Sequence, residues 1–410
     1  MAASAVFLAA GNNVAYAKAG QPIRYCVTSP YMDDLSPTPL PMNNGLAAGE
    51  SIQAIPFAQI PESDYKTQRT LLTVADEDGK RIRRVFVPGS LHNAMFSGTT
   101  ILCLTRGNPG YFYALDTETL QPASVVFPES GTLFGGHMIP WMNDGQVAIT
   151  VNIQREGAYD RVDVYDATTL KKIEQINSYG FQAHELALTP DKKTLYVGHY
   201  GSNYSSGPYK HLAQQNEIRL RAPDGQAKPM TFYPGSVSAI SLDNKTLIDR
   251  QSSDRNGPQG HLAPSSTGQV FLTRLPPFLM RRGDEMQNPV YAEGTENKIC
   301  TTEMFSQHRL RGTGTTVVVD DTHQQFILAN TRESAMSYGA LSTPQEMKKS
   351  APTAFNAYKK PQGLAFHPDG IHYIASCTNG FMTFKRSTHE FVPERSFTVA
   401  LGEHSHMCLG

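Results

Sequence analysis

The chain lacks the short signatures that usually announce a chemistry. Its 410 residues contain no Cys-x-x-Cys and no Cys-x-x-Cys-His, which removes zinc-ribbon and c-type haem readings. There is no His-Glu-x-x-His, no phosphate-binding loop and no nucleophile elbow. An excess of charge of either sign is missing too. Lys and Arg number 36 against 37 Asp and Glu, so no net field draws the protein to nucleic acid or an acidic membrane. Charged residues make up 18%, below the usual level of about a quarter. No apolar run reaches the length of a membrane span.

Cysteine is scarce, and its count is odd. Cys26, Cys103, Cys300, Cys377 and Cys408 leave at least one thiol unpaired unless two chains pair. Cys103 and Cys377 sit at matching places in two apolar segments and read as buried, inert thiols. Turn formers are plentiful instead: 33 Gly and 27 Pro suit many tight turns between short strands.

What is present is a repeat. A short entry segment carrying Gly or His leads into an apolar strand, an Asp/Gly turn and a second apolar strand. Gly136-His137-Met138-Ile139 leads to Asn143-Asp144-Gly145, and Ala183-His184-Glu185-Leu186 leads to Thr189-Pro190-Asp191. Pro361-Gln362-Gly363-Leu364 leads likewise to His367-Pro368-Asp369-Gly370. Tyr113-Ala114-Leu115-Asp116-Thr117-Glu118-Thr119-Leu120 is echoed by Asp163-Val164-Tyr165-Asp166-Ala167-Thr168-Thr169-Leu170. Units spaced by roughly 45–50 residues cannot bury their own apolar faces and must stack on neighbours, as propeller blades do. The reading is all-β: a seven-bladed β-propeller closed by N- and C-terminal strands. An eighth blade at Phe232 to Ile248 is the alternative. The hairpin of Thr70–Val74 and Ile82–Val87 precedes the first full blade, so it is expected to complete the last one.

Residues 66–410 form that single domain, preceded by an extended tail at 18–65 that wraps it. Ala2–Ala10 and the small-x-small site Ala15-Tyr16-Ala17 make residues 1–17 a signal-peptide remnant. Two long insertions, Pro276–Gln307 and Ser334–Tyr358, are too polar and turn-rich for core strands.

Aligning the blades on their turns places His137, His184 and His261 at one level, with Thr313 and Gln362 in the same slot elsewhere. Ser90 fills it in the first blade, and His92 follows two residues on, on the same strand face. Near the C-terminus His404, His406 and Cys408 alternate onto one face if that segment is extended. First strands of blades line the central channel, so these side chains would converge near the axis. Imidazole and thiolate ligands suit Cu, Fe or Zn, whereas Ca and Mg prefer oxygen. Alternatively each His bonds the backbone of the next blade and locks the ring. His199, His211, His308, His323, His367, His372 and His389 lack the register and read as surface or turn residues. His184-Glu185 would form an acid–base pair only if a bulge turned both to one side, because adjacent strand residues face opposite ways. The loop Gly198–Tyr204, rich in aromatic and hydroxyl groups, is a candidate pocket lining.

With Gly136-His137-Met138, Val164-Tyr165-Asp166-Ala167, His184-Glu185-Leu186-Ala187-Leu188-Thr189-Pro190-Asp191, Gly260-His261-Leu262-Ala263 and Arg311-Gly312-Thr313 in this order, the chain resembles an exported bacterial propeller family, domain of unknown function 1513. The resemblance runs from about residue 85 to the end. It implies a periplasmic protein, exported by the twin-arginine route and associated with iron-uptake systems, and it implies no reaction. The leader here carries no twin arginine. Three functions remain open: binding a transition metal or docking to a periplasmic metal-handling protein, lactonase- or lyase-like catalysis, and a non-catalytic interaction scaffold.

Overall fold

The computed structural model describes residues 23–31, 52, 54–61, 63, 69–107, 110–142, 145–155, 158–201, 219–221, 227–229, 235–252, 259–274, 290–293, 314–330, 334–342, 348–350, 358–402 and 406–410. Short strands joined by tight turns account for nearly all regular structure. The first three strands are β1 (Arg24–Tyr31), β2 (Arg69–Asp76) and β3 (Ile82–Pro88). Then come β4 (Leu91–Ser97), β5 (Thr100–Thr105), β6 (Phe112–Asp116) and β7 (Pro122–Val126) in one antiparallel sheet. The next sheet holds β8 (Thr132–Pro140), β9 (Gln146–Ile153), β10 (Arg161–Asp166) and β11 (Lys172–Asn177). It is followed by β12 (Ala183–Leu188) and β13 (Thr194–His199), then by a separate hairpin of β14 (Arg219–Arg221) and β15 (Ala227–Pro229). Strands β16 (Ser236–Ser241) and β17 (Leu247–Ser252) return to the sheet of β12 and β13. A three-stranded sheet follows, of β18 (Gln259–Pro264), β19 (Val270–Arg274) and β20 (Val290–Glu293). The last two consecutive sheets are β21 (Gly314–Asp320), β22 (Gln325–Asn330), β23 (Ala335–Ala340) and β24 (Lys348–Ser350), then β25 (Gly363–Phe366), β26 (His372–Cys377), β27 (Gly380–Lys385) and β28 (Phe397–Thr398). The final strand, β29 (Met407–Leu409), pairs with β1 in the order β29-β1-β2-β3.

This is a β-propeller, and four expectations about it need correction. Six sheets are complete four-stranded blades among the described residues, not seven. The His261 segment does begin an inner strand, but its sheet has three strands, and residues 294–313 after it lie outside the described set. The eighth blade weighed at 232–248 is absent, because β16 and β17 are the outer strands of the blade that β12 opens. Within the supposed tail at 18–65, Arg24–Tyr31 is a blade strand paired along its whole length with β2. Its apolar residues Tyr25 and Val27 occupy one face and Cys26 the other, a pattern too short to stand out beside Pro-rich sequence. Finally, the stretch 334–358 supplies β23 and β24, with Ala335 and Met336 fully buried.

Inner strands neighbour one another in a closed circle: β4 touches β8, then β12, β18, β21, β25 and β29 follow, and β29 returns to β4. An apolar layer fills each junction. Between the sheets of β4 and β8 it contains Leu102, Leu104, Phe112, Phe134, Ile149 and Val151. Strand β29 enters from the C-terminus while β1, β2 and β3 come from the N-terminal side, so chain ends close the ring and cover a sheet edge.

The Asp-Thr echo has the expected cause. Asp116 Oδ1 accepts from the Thr119 amide at 2.7 Å and its hydroxyl at 2.8 Å, and Asp166 does the same with Thr169 at the same distances. Each turn then ends on a leucine in the left-handed region, Leu120 at φ 56° and Leu170 at φ 53°. Two hairpins sharing a bonding pattern and a rare backbone angle are copies of one unit.

Candidate metal centre at the hub

The ladders of four inner strands slip where the histidines stand. Register shifts fall between Leu91 and Asn93, Phe134 and Met138, Ala183 and Glu185, and Gln259 and Leu262. A bulge leaves an extra residue unpaired and re-aims its side chain. The residues inside these slips include His92, His137, His184 and His261. The level in the first blade is therefore set by His92 rather than Ser90. In β8 the slip is made possible by Gly135-Gly136: Gly136 has φ +102°, and a Cβ there would lie 2.8 Å from the His92 ring.

These four imidazoles and His406 converge. His137 lies 4.9, 4.2, 5.1 and 4.5 Å from His92, His184, His261 and His406 between ring centroids. The Nε2 atoms of His92 and His137 are 3.1 Å apart. Two overlapping groups, His92/His137/His406 and His137/His184/His261, each have their ligand atoms within 4.8 Å of one another, so either could hold a metal ion.

Glu185 holds two of them. Its Oε2 accepts from His261 Nδ1 at 2.5 Å and lies 3.1 Å from His137 Nδ1, while Oε1 accepts from the Leu186 amide at 3.0 Å. Burial would push this carboxyl up, yet the His137 and His261 rings hold it well below the usual carboxylate range. His184 Nδ1 donates to the Gly135 carbonyl of the neighbouring blade at 3.2 Å. Its buried Nε2 has no hydrogen-bond partner among the described residues. Burial, with nearby His137 and Arg106, depresses the basicity of His184 and His92, and burial does so for His406 and, against the pull of Glu185, for His137. Neutral imidazoles are what a metal requires.

Around these groups stands a supporting layer. Thr150 Oγ1 bridges the carbonyls of His137 (3.3 Å) and His184 (3.4 Å). Asp160, buried, accepts from the amides of Ala183 and Ile153, both at 2.7 Å, and from Asn152 Nδ2 at 3.0 Å, which fixes the chain where it enters the His184 bulge. Tyr200 stacks on His184 with centroids 4.0 Å apart, and Arg106 lies over the outer part of this layer, 5.0 Å from the Tyr200 ring.

Of the sequence candidates, His92, His137, His184, His261 and His406 come together. His404 lies outside the described residues. Cys408 does not join them. It sits opposite Cys26 in the ladder of β1 and β29 and packs with Cys26, Ile101, Cys103 and Tyr113 between two blades. His406 precedes the strand, so the alternation that would have carried both residues onto one face does not hold. His199 and His367, read as surface or turn residues, are buried, and His199 bonds the Ser236 carbonyl at 3.2 Å. His211 and His308 lie outside the described residues. Of the Gly198–Tyr204 loop, Tyr200 reaches the hub and residues 202–204 are not described. Arg106, Thr150 and Asp160 carried no motif and were missed. The only available signal was the Gly-Gly-His of β8, which marks a bulge.

Residues 86–207 match a family described as protein of unknown function (DUF1513). No curated protein matches the chain. Hydrazine synthase of Kuenenia stuttgartiensis is similar in structure, with a TM-score of 0.51 at 11% sequence identity, covering 85% of this chain and 94% of that one. At such identity the likeness concerns the fold alone. No helix among the described residues is long and apolar enough to cross a membrane.

Proposed function

We propose that the hub holds a transition-metal ion or a small complex of one. The observation that carries this reading is the buried, unpartnered Nε2 of His184 beside the ligand atoms of His137 and His261. An orphaned buried acceptor costs about 1–3 kcal/mol. A bound ion would supply the missing partner. The donor set fits: imidazoles suit Cu, Zn or Fe, and Glu185 fixes two rings through Nδ1, the usual carboxylate–histidine support of a metal ligand. The alternative in which histidines merely lock neighbouring blades accounts for His184 Nδ1 and leaves Nε2 unexplained.

An acid–base role for His184 and Glu185 is disfavoured even though the required bulge exists. Both carboxylate oxygens of Glu185 are engaged and the residue is 4% exposed, so no substrate reaches it. A periplasmic location beside a metal-handling partner is part of this proposal, and what supports it is the sequence resemblance alone. Elemental analysis of purified protein, before and after incubation with Cu, Zn or Fe salts and desalting, tests the central reading. Retention of metal that is lost in a His137→Ala, His184→Ala, His261→Ala triple variant is expected. A chain that retains none would overturn it.

A further inference from the structure

We infer that Cys26 and Cys408 are a disulfide-forming pair, which links β1 to β29 and closes the ring covalently at its seam.

The two cysteines are direct partners in the antiparallel ladder of β1 and β29. Their register is pinned two residues away, where Arg24 and Gly410 exchange both backbone hydrogen bonds, at 2.7 and 3.0 Å. Hydrogen-bonded pairs recur at every second residue of such a ladder, so Cys26 and Cys408 form the next one, with Cα atoms about 5.5 Å apart. Disulfides span Cα separations of about 4.4–6.8 Å, most often about 5.5–6 Å. Both side chains leave the sheet on one side. Cys26 and Cys408 pack in the layer of Ile101 and Tyr113, whereas Tyr25, Val27, Met407 and Leu409 fill the layer on the opposite face. The backbone thus presents the two sulfurs, held here as thiols, toward one another.

The other cysteines are placed differently. Cys103 enters the same layer from β5 of the neighbouring sheet, and its Sγ is directed at the Ile101 carbonyl, 3.9 Å away. Cys377 packs elsewhere, with Met336, Leu364 and Tyr373. Cys300 lies outside the described residues. In the order β29-β1-β2-β3, β29 bonds only to β1, so a covalent link acts on the strand that completes the ring. The loop it closes takes in nearly the whole chain, the case in which a cross-link restricts the unfolded state most.

Burial, with the adjacent Cys408 thiol, pushes the Cys26 thiol well above its ordinary value, so the closed ring holds little reactive thiolate. Oxidation therefore belongs to the stage before β29 docks. The oxidant is a small-molecule or protein disulfide. One cysteine thiolate attacks it and displaces a thiolate, and the second cysteine attacks the mixed disulfide and displaces the other. Two protein thiols become one S–S bond, and their two electrons and two protons leave as two thiols of the reduced oxidant.

The test refolds the full chain from urea with reduced and oxidised glutathione, blocks free thiols and maps linked peptides. Expected are the loss of two of the five thiols, a peptide joining Cys26 to Cys408, and a melting point about 5 °C above that of the same protein after reduction. Cys103→Ala should keep the linked peptide, whereas Cys408→Ser should lose both the peptide and the gain in melting point. Where refolding fails, chain produced in an oxidising compartment and mapped without reduction gives the same readout. Five free thiols, or a linkage through Cys103, Cys300 or Cys377, would overturn the inference.

Discussion

Glu185 accepts from two imidazoles through one oxygen, so its charge is matched to hydrogen-bond donors rather than to a formal counter-ion. Glu185→Gln keeps the shape but offers an amide in place of one acceptor. We expect metal affinity to fall about 10–100-fold, read by competition with a chromophoric chelator, with the far-UV spectrum unchanged. An unchanged affinity would make Glu185 a plain core residue. Asp160 acts one step further out. Asp160→Asn turns an NH2 group toward amides that now meet a carboxylate, and should cost about 1–3 kcal/mol in urea unfolding. The hub histidines also set a pH dependence. Their folded-state proton affinity is lowered by burial, so below about pH 6.5 the unfolded chain binds protons that the folded one refuses. Depressed Glu185 acts in the same direction below its ordinary range. Stability of the metal-free protein should thus fall steadily from pH 7 toward pH 4. A urea midpoint that stays flat over that interval would contradict the burial of these rings.

At the level of elements, the ring depends on β29, a strand of three residues that is the only inner strand of its blade. Leu409 is 2% exposed among Tyr25, Phe381 and Leu401. Leu409→Ala should cost about 2–5 kcal/mol. Removing 406–410 should cost more, because it bares the edge of β1 and invites aggregation, seen as a lower melting point and light scattering. A truncated chain that melts like the intact one would show that closure lies elsewhere. Strands with a strong turn signal were legible in the sequence: β8 to β13 and β25 to β27 follow their Asp/Gly turns closely. Strands without one were hidden. β1 stands alone near the N-terminus and has partners only across nearly the whole chain, and β23 alternates Ala, Met, Ser and Tyr too weakly to be told from a polar loop. The histidine level was readable from the repeat, but the side chains' direction was not. It depends on bulges, and a bulge is fixed by pairing with the next strand, which sequence spacing does not contain.

For the molecule as a whole, the hub and the closure are one device. His92, His137, His184 and His261 sit on β4, β8, β12 and β18, and His406 immediately precedes β29, so an ion in either three-histidine group would join three sheets, and one held by His92, His137 and His406 would span the chain-end seam. Unfolding a sheet of the occupied group would remove a ligand, so metal binding and global stability would be linked. Free metal at a hundred times its dissociation constant should add about 2.7 kcal/mol, and a thousandfold excess about 4.1 kcal/mol. Thermal melts with increasing free metal should rise with the logarithm of its concentration. His406→Ala is the informative variant, because it leaves the His137/His184/His261 group intact but disconnects the C-terminal strand. Its metal-free melting point should be close to that of the parent, while the metal-dependent gain shrinks. If the variant gains as much as the parent, the ion does not bridge the seam and His406 is only a neighbour of the site.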